Sequence, residues 1–396
     1  LLAAGERDEW EAAMPEPEAK HIEIVVIGGG QAGLSVGHHL ARRGRPFLIL
    51  DAHRRVGDAW RNRWDSLRLF TPARYSALEG MPFPAPAHSF PTKDQVADYL
   101  EAYANQSRLP VRTGVRVDRL WRDGGRFVVA AGDRSWEADN VVVAMSSFQV
   151  PRVPAFADDL GPEIVQLHST GYRNPAQLQD GGVLVVGAGN SGAEIALEVA
   201  SRHPTWLAGK ESGHVPFRIE GAAARYVFQP LLFRVIGHRV LTVDTPIGRK
   251  LRPRLISHAA PLVRVKPKDL TAAGIQRVPG VVGIRDGNPL LADQQTLEVA
   301  NVIWCTGSGP DFSWIDLPAF GENEHEPVHH RGVVASQPGL YFVGLSFLYA
   351  MSSGFLPGVD RDAEHIVHAI LGEADRTSDR PGPTVDNGAR RPMRAR

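Results

Sequence analysis

Cysteine is almost absent: the 396 residues contain one, Cys305. A single thiol forms neither an intrachain disulfide framework nor a CxxC redox pair, so a disulfide scaffold and a dithiol relay are both excluded. An excess of one charge is missing too, because 44 Lys and Arg balance 44 Asp and Glu. That balance argues against a dedicated nucleic-acid or polyanion binder. No apolar run approaches the length of a membrane span and no secretory signal opens the sequence. No HExxH or paired-cysteine constellation offers a metal site. The expectation is a cytoplasmic protein with no integral membrane segment and, from its length, two domains.

Glycine, by contrast, is placed with purpose. Ile22 to Ile27 is a β-branched run that suits a central parallel strand, and it leads into Gly28, Gly30 and Gly33 in GxGxxG spacing. These three glycines give a tight turn, close approach of backbone to a pyrophosphate, and close helix–strand packing. Gln31 to Arg42 reads as a helix whose N-terminal N–H groups, including those around Gln31 and Ala32, face the phosphates. Gly44 ends it, Pro46 to Leu50 is the next strand, and Asp51 stands where an acid accepts hydrogen bonds from a ribose.

The same pattern returns about 160 residues later. Gly182 to Val186 is a strand, Gly187, Gly189 and Gly192 repeat the fingerprint around Asn190 and Ser191, and Thr205 to Ala208 is the following strand. Lys210 occupies the place where an acid would select NADH, and a cation there suits the 2′-phosphate of NADPH. Two such units imply two dinucleotides.

Around them, residues 1–19 read as a flexible arm and 373–396 as a disordered tail. Thr92 is expected to cap a helix over 93–105. Val111 to Leu120 and Arg126 to Ala131 are expected to pair about the Asp123-Gly124-Gly125 turn, and Asn140 to Ser147 to form a buried strand. Tyr226 to Ile236 has helical apolar spacing, read as core packing ahead of a substrate entry or a membrane-facing rim. The cations from Arg249 to Lys268 read as a solvated face or as a collar for NADPH or an anionic substrate. Cys305 ends an apolar strand and reads as a small core residue. The last helix is expected from about Val359 to Leu371.

These motifs resemble the class B flavin-dependent monooxygenases, with their bacterial flavoprotein relatives assigned to potassium transport and the plant YUCCA-type enzymes. The likeness covers about residues 20–372. It rests on the two fingerprints, on Gly57-Asp58-Ala59-Trp60, on the strand and linker from Asn140 to Pro154, and on Cys305-Thr306-Gly307, which looks like the family's ATG turn. Of the family's FxGxxxHxxx(F/W/Y) motif only His168 and Tyr172 fit, since Pro162 and Ile164 replace Phe and Gly. The Asn that animal members place near the flavin is lacking around Thr71-Pro72.

The resemblance implies an α/β, glutathione-reductase-like architecture of two Rossmann-like dinucleotide-binding domains. The FAD domain spans 20–153 and 299–372, with an NADPH domain inserted at 154–298. It implies an NADPH-dependent FAD monooxygenase that uses O2 and a C4a-(hydro)peroxyflavin to oxygenate a small organic substrate. A flavin reductase or oxidase without oxygen insertion, and a nucleotide-sensing regulator of ion transport, stand as alternatives. Gly28, Gly30, Gln31, Ala32, Gly33 and Asp51 are assigned to FAD. Gly187, Gly189, Asn190, Ser191, Gly192 and Lys210 are assigned to NADPH. Trp60, Arg61, Thr306, Gly307, Gly344, Ser353 and Gly354 are expected at the cofactors. Thr71 and His168 are expected in a catalytic role, with His168 balanced against a hinge residue that bonds backbone carbonyls. Oligomeric state is left open.

Overall fold

The computed structural model describes residues 20–211, 213–257, 260–321 and 326–373. The expected arm, 1–19, and the expected tail from residue 374 lie outside them.

Two parallel-centred sheets carry the fold. The first unit opens with β1 (Lys20–Ile27), whose second half is fully buried, then α1 (Gln31–Arg42) and β2 (Phe47–Leu50). Leu34, Val36 and Leu40 of α1 are wholly buried, and Gly44 reverses the chain at φ +62°. Next comes α2 (Lys93–Gln106), started by a capping box: Gln95 N–H donates to Thr92 Oγ1 at 3.2 Å and Thr92 N–H to Gln95 Oε1 at 3.0 Å. β3 (Val111–Arg112), β4 (Arg119–Asp123), β5 (Arg126–Ala131) and β6 (Arg134–Val143) complete the sheet in the order β3-β2-β1-β6-β5-β4.

The expected single strand from Val111 to Leu120 is therefore two elements. Gly114 sits at φ +69° with its N–H on His53 O, and Val115 N–H bonds Asp51 O, so the chain wraps the end of β2 instead of extending. The Asp123-Gly124-Gly125 hairpin is as expected, with both glycines at positive φ.

After β7 (Val150–Pro151) the chain enters the second unit with β8 (Val165–His168), β9 (Val183–Val186), α3 (Asn190–Val199) and β10 (Thr205–Ala208). A helical insert of two π-helices, Ala224–Phe228 and Leu231–Val240, and the helix Pro246–Ser257 precede β11 (Gln276–Val278). Tyr226, Val227 and Phe228 are 66%, 58% and 40% exposed, so the core-packing reading of this stretch is overturned.

The hairpin β12 (Val281–Arg285) and β13 (Asn288–Leu291) leads to β14 (Asn301–Trp304), which lies between β9 and β8 in the all-parallel order β11-β10-β9-β14-β8. The sequence expectation put residues from 299 onward with the first unit; β14 belongs to the second sheet. Its role there matches that of β6 in the first. Ala144 N–H bonds Ile27 O and Cys305 N–H bonds Val186 O, so each strand follows its glycine strand into the turn. The chain then returns through β15 (Ser308–Gly309), paired antiparallel with β7, to β16 (Leu340–Phe342) beside β6. It ends in α4 (Leu356–Ile370), which packs on α1 and bonds it through Ser35 and Asp360. Among the described residues no helix is long and apolar enough to cross a membrane.

Asn301 pins β14 in place. It is fully buried, accepts from Gln179 N–H at 3.0 Å and donates to Gln179 O at 2.9 Å. Replacing it with Ala leaves that N–H and carbonyl without partners, and urea unfolding of Asn301→Ala is expected to show a loss of about 2 kcal/mol.

Candidate functional site

Both glycine turns have the geometry that the fingerprint predicts. In the first, Gly28 is at φ +110°, where a Cβ would meet Ala144 O just past β6 at 2.8 Å, and a Cβ on Gly33 would sit 1.8 Å from Gly28 O. In the second, Gly187 is at φ +112° and a Cβ on Gly192 would sit 1.8 Å from Gly187 O. No side chain fits at either helix position.

Gly30 differs in kind. It precedes α1 with ordinary φ of −80°, and a Cβ there would meet nothing within 4 Å. The protein itself does not require glycine at this point. Its requirement lies in front of the helix N-terminus, where Gln31 and Ala32 begin α1 and free N–H groups face outward. A pyrophosphate fits that space, so the residues present suit a dinucleotide.

Asp51, at the end of β2, is 7% exposed and held on three sides. It accepts from Gly29 N–H at 2.6 Å, His53 N–H at 2.8 Å and His53 Nδ1 at 3.0 Å. Burial raises its pKa, but the His53 and Gly29 hydrogen bonds outweigh that and keep the carboxyl below its usual range. An ionised carboxylate retains acceptor capacity for a ribose. His53 is a residue that sequence reasoning missed; its place two residues after the acid was the available signal. Gly344, at φ +85°, presses on the same turn, since a Cβ there would lie 2.9 Å from Ala32 Cβ.

Several expected contacts resolve otherwise. Trp60 donates from Nε1 to Gln31 Oε1 at 3.3 Å, which keeps it beside the first turn. Arg61 is spent on Asp58, Asp98 and Glu101, so it braces the short helix Asp58–Arg61 against α2 rather than facing a cofactor. Its neighbour Arg63 is half-buried and has no carboxylate partner among the described residues; burial, then Arg173, pulls its pKa down. Sequence reasoning passed it over. Thr71 is 4% exposed, with Oγ1 on Ser76 Oγ at 3.0 Å, so the catalytic assignment gives way to an interior turn. Ser353 is fully buried and accepts from the Tyr349 and Ala350 N–H groups, which shapes the loop before α4. Gly354 adjoins Ser346 in that loop.

His168 ends β8 between the two units. Thr170 N–H donates to its Nδ1 at 3.2 Å, which leaves the proton on Nε2, and Nε2 donates to Gly307 O at 3.0 Å. Burial lowers its pKa, with the Gly307 bond opposing, so the ring stays neutral. Gly307 O also accepts from Arg152 N–H at 2.9 Å, and Thr306 Oγ1 donates to Arg152 O. His168, Thr306 and Gly307 together form a clasp where the chain crosses between units. The bond to the Gly307 carbonyl is the geometry that the hinge reading of His168 expects.

In the second cradle Asn190 is committed to structure: its Oδ1 accepts from Val263 N–H at 2.8 Å and its Nδ2 reaches Pro261 O at 3.1 Å. Gly189 and Ser191 flank it at the start of α3. Lys210 is exposed just beyond β10, and Arg277 of β11 donates to Gly209 O at 2.8 Å beside it. The expected basic collar is partly internal bracing, since Lys266 is buried on Val215 O and Val263 O and Arg264 reaches Leu69 O. Cys305 packs against the second core, and burial pushes its thiol pKa up to about 12.

Arg264 also faces Glu194 of α3, at 3.8 Å, and burial raises that carboxyl to about 7 against the partial relief Arg264 gives. A carboxyl raised in the folded state binds its proton more tightly there than when unfolded, so stability falls as pH climbs from about 4.5 to 7. Melting curves at pH 5 and pH 8 should show this fall, on the order of 2 kcal/mol, in the parent chain and a flatter response in Glu194→Gln.

Comparison with known proteins accords with this geometry. The model of the pyridine nucleotide-disulphide oxidoreductase family matches residues 25–207. A CzcO-like oxidoreductase of Geobacillus kaustophilus is 38% identical over 357 residues, covering 88% of this chain and 98% of that protein. The indole-3-pyruvate monooxygenase YUCCA4 of rice is 28% identical over 386 residues, covering 88% and 87%. Among solved structures, the flavin-containing monooxygenase of Stenotrophomonas maltophilia superposes with a TM-score of 0.70 at 31% identity, over 89% of this chain and 99% of that one. With both cradles built and these relatives spanning nearly their whole length, the chain belongs to the family of the CzcO-like oxidoreductases and the bacterial flavin-containing monooxygenase, as a flavin-dependent oxidoreductase.

Proposed function

We propose that this oxidoreductase is an NADPH-dependent FAD monooxygenase that adds oxygen from O2 to a small organic substrate. The observation that carries the reading is the pairing of two complete dinucleotide cradles with a thiol inventory of one half-buried cysteine. Cys305 stays protonated because its pKa stands near 12, so the protein offers no thiol to receive electrons. In these cradles FAD and NADPH would supply the redox chemistry, hydride acceptance from the nicotinamide and electron transfer to O2.

The chain's own residues bind, orient and shield. The N–H groups at Gly30, Gln31 and Ala32 would hold the FAD pyrophosphate, and Asp51 its ribose. Gly187, Gly189, Ser191 and Gly192 would form the NADPH turn, with Lys210 and Arg277 next to the 2′-phosphate. The His168–Gly307–Arg152 clasp fixes the crossover between the cradles. Holding the two units in register is what brings a hydride donor and its acceptor together, and misplacement by an ångström is costly to such a transfer.

The test uses flavin-loaded enzyme with NADPH or NADH under air, following reduced nucleotide, peroxide and oxygenated product across soft-nucleophile and carbonyl substrates. The monooxygenase reading expects product to account for the NADPH consumed with at least one substrate, and Lys210→Ala to weaken NADPH use by roughly ten- to a hundredfold while sparing NADH. Stoichiometric peroxide with every substrate would replace the reading with an oxidase.

A further inference from the structure

Beside the first cradle, a cavity of about 550 Å³ opens between the two units. Its walls are Arg74 and Tyr75, from the turn after Phe70-Thr71-Pro72, and Phe233, Arg234, His238 and Arg239 from the π-helix Leu231–Val240. Pro357, in the first turn of α4, closes one side. That helix is bonded to α1 through Asp360 and Ser35, so the cavity adjoins the element that carries the first glycine turn.

Its charge pattern is unusual. The Arg74 and Arg234 guanidinium groups stand 5.2 and 5.5 Å from the centre of the Tyr75 ring, and the Phe233 ring lies 5.4 Å from it. Among the described residues no carboxylate pairs with Arg74, Arg234 or Arg239. Three like charges brought together without a counter-ion repel one another, and an anion would relieve that cost. A second, independent observation is Tyr75 itself: it is 7% exposed, and its buried hydroxyl has no hydrogen-bond partner. Such an orphaned donor in a cavity wall calls for an explanation. His238 adds no charge, because burial, then Arg361 and Arg239, lowers its pKa to about 4, and Ser352 Oγ lies 3.2 Å from its Nδ1.

We propose that this cavity binds an organic acid with a flat apolar body, the carboxylate among Arg74, Arg234 and Arg239 and the body against Tyr75 and Phe233, and that such acids are the substrates. Arginine suits the role because its planar fork pairs with carboxylates and also stacks on rings. The π-helical wall agrees with it, since i→i+5 turns recur at functional sites. The substrate assignment rests on the proposed monooxygenase activity; the binding site does not.

The experiment titrates 2-naphthoate, and its uncharged relative 2-naphthamide, into flavin-loaded enzyme by calorimetry without NADPH. The acid is expected to bind at least about tenfold tighter than the amide. Arg74→Gln and Arg234→Gln should each remove most of that preference, and Tyr75→Phe should weaken the acid several-fold, with flavin content unchanged. Equal affinity for acid and amide, or a preference that survives both arginine changes, overturns the site. A parallel assay with NADPH and O2 separates the two claims. Acid binding that the variants abolish, without oxygenated product, upholds the site and defeats the monooxygenase reading. Product formed equally from acid and amide, indifferent to the arginines, defeats the site alone.

Discussion

A side chain on Gly33 would drive its Cβ to 1.8 Å from the carbonyl of Gly28, and one on Gly192 would do the same to Gly187. These two contacts let each helix start directly on the end of its strand. Everything else in the arrangement follows from that closeness. It sets the helix N-terminus over the carboxyl ends of the parallel strands, the usual place for ligands in open α/β sheets. It also forces the next parallel strand to end beside the turn. Ala144 O fills this role in the first unit and Cys305 O in the second, at 2.8 and 2.3 Å from where Cβ atoms of Gly28 and Gly187 would stand.

The symmetry explains which parts were legible in sequence and which were not. Gln31–Arg42, Phe47–Leu50 and Thr205–Ala208 follow from local signals: β-branched runs, glycine spacing and helix stop residues close together in the chain. The assignment of Val302 to Trp304 to the wrong unit has a different origin. β14 is separated from β9 by more than a hundred residues, and nothing in its three apolar residues says which sheet they join. Only pairing decides it, and Asn301 settles that pairing through Gln179, a contact that no local pattern encodes.

The candidate site divides in the same way. The glycines and Asp51 carry their chemistry in backbone shape and position, so spacing alone located them. Polar side chains were harder, because a hydroxyl or guanidinium can turn inward as readily as toward a ligand. Thr71, Ser353, Asn190 and Arg61 all satisfy neighbouring protein groups. His168 does too, and gains significance from it: its bond to Gly307 O joins the first strand of the second sheet to the return crossover. The cationic cavity was missed because Arg74 and Tyr75 are separated from Arg234 and Arg239 by the whole first crossing between units.

Gly30 offers the most direct test of the account, because the fold and the cofactor place different demands on it. Its φ is ordinary and a Cβ meets no protein atom within 4 Å, so a side chain leaves the fold undisturbed while filling the space in front of α1. The measurement is FAD binding to apoprotein by equilibrium titration, in the parent chain and in Gly30→Val, with melting temperature as the control. The account predicts one FAD per parent chain, and a variant that melts as the parent apoprotein does yet takes up no stoichiometric flavin. A Gly30→Val protein that binds FAD as well as the parent would contradict the placement of the pyrophosphate, and with it the assignment of the first cradle.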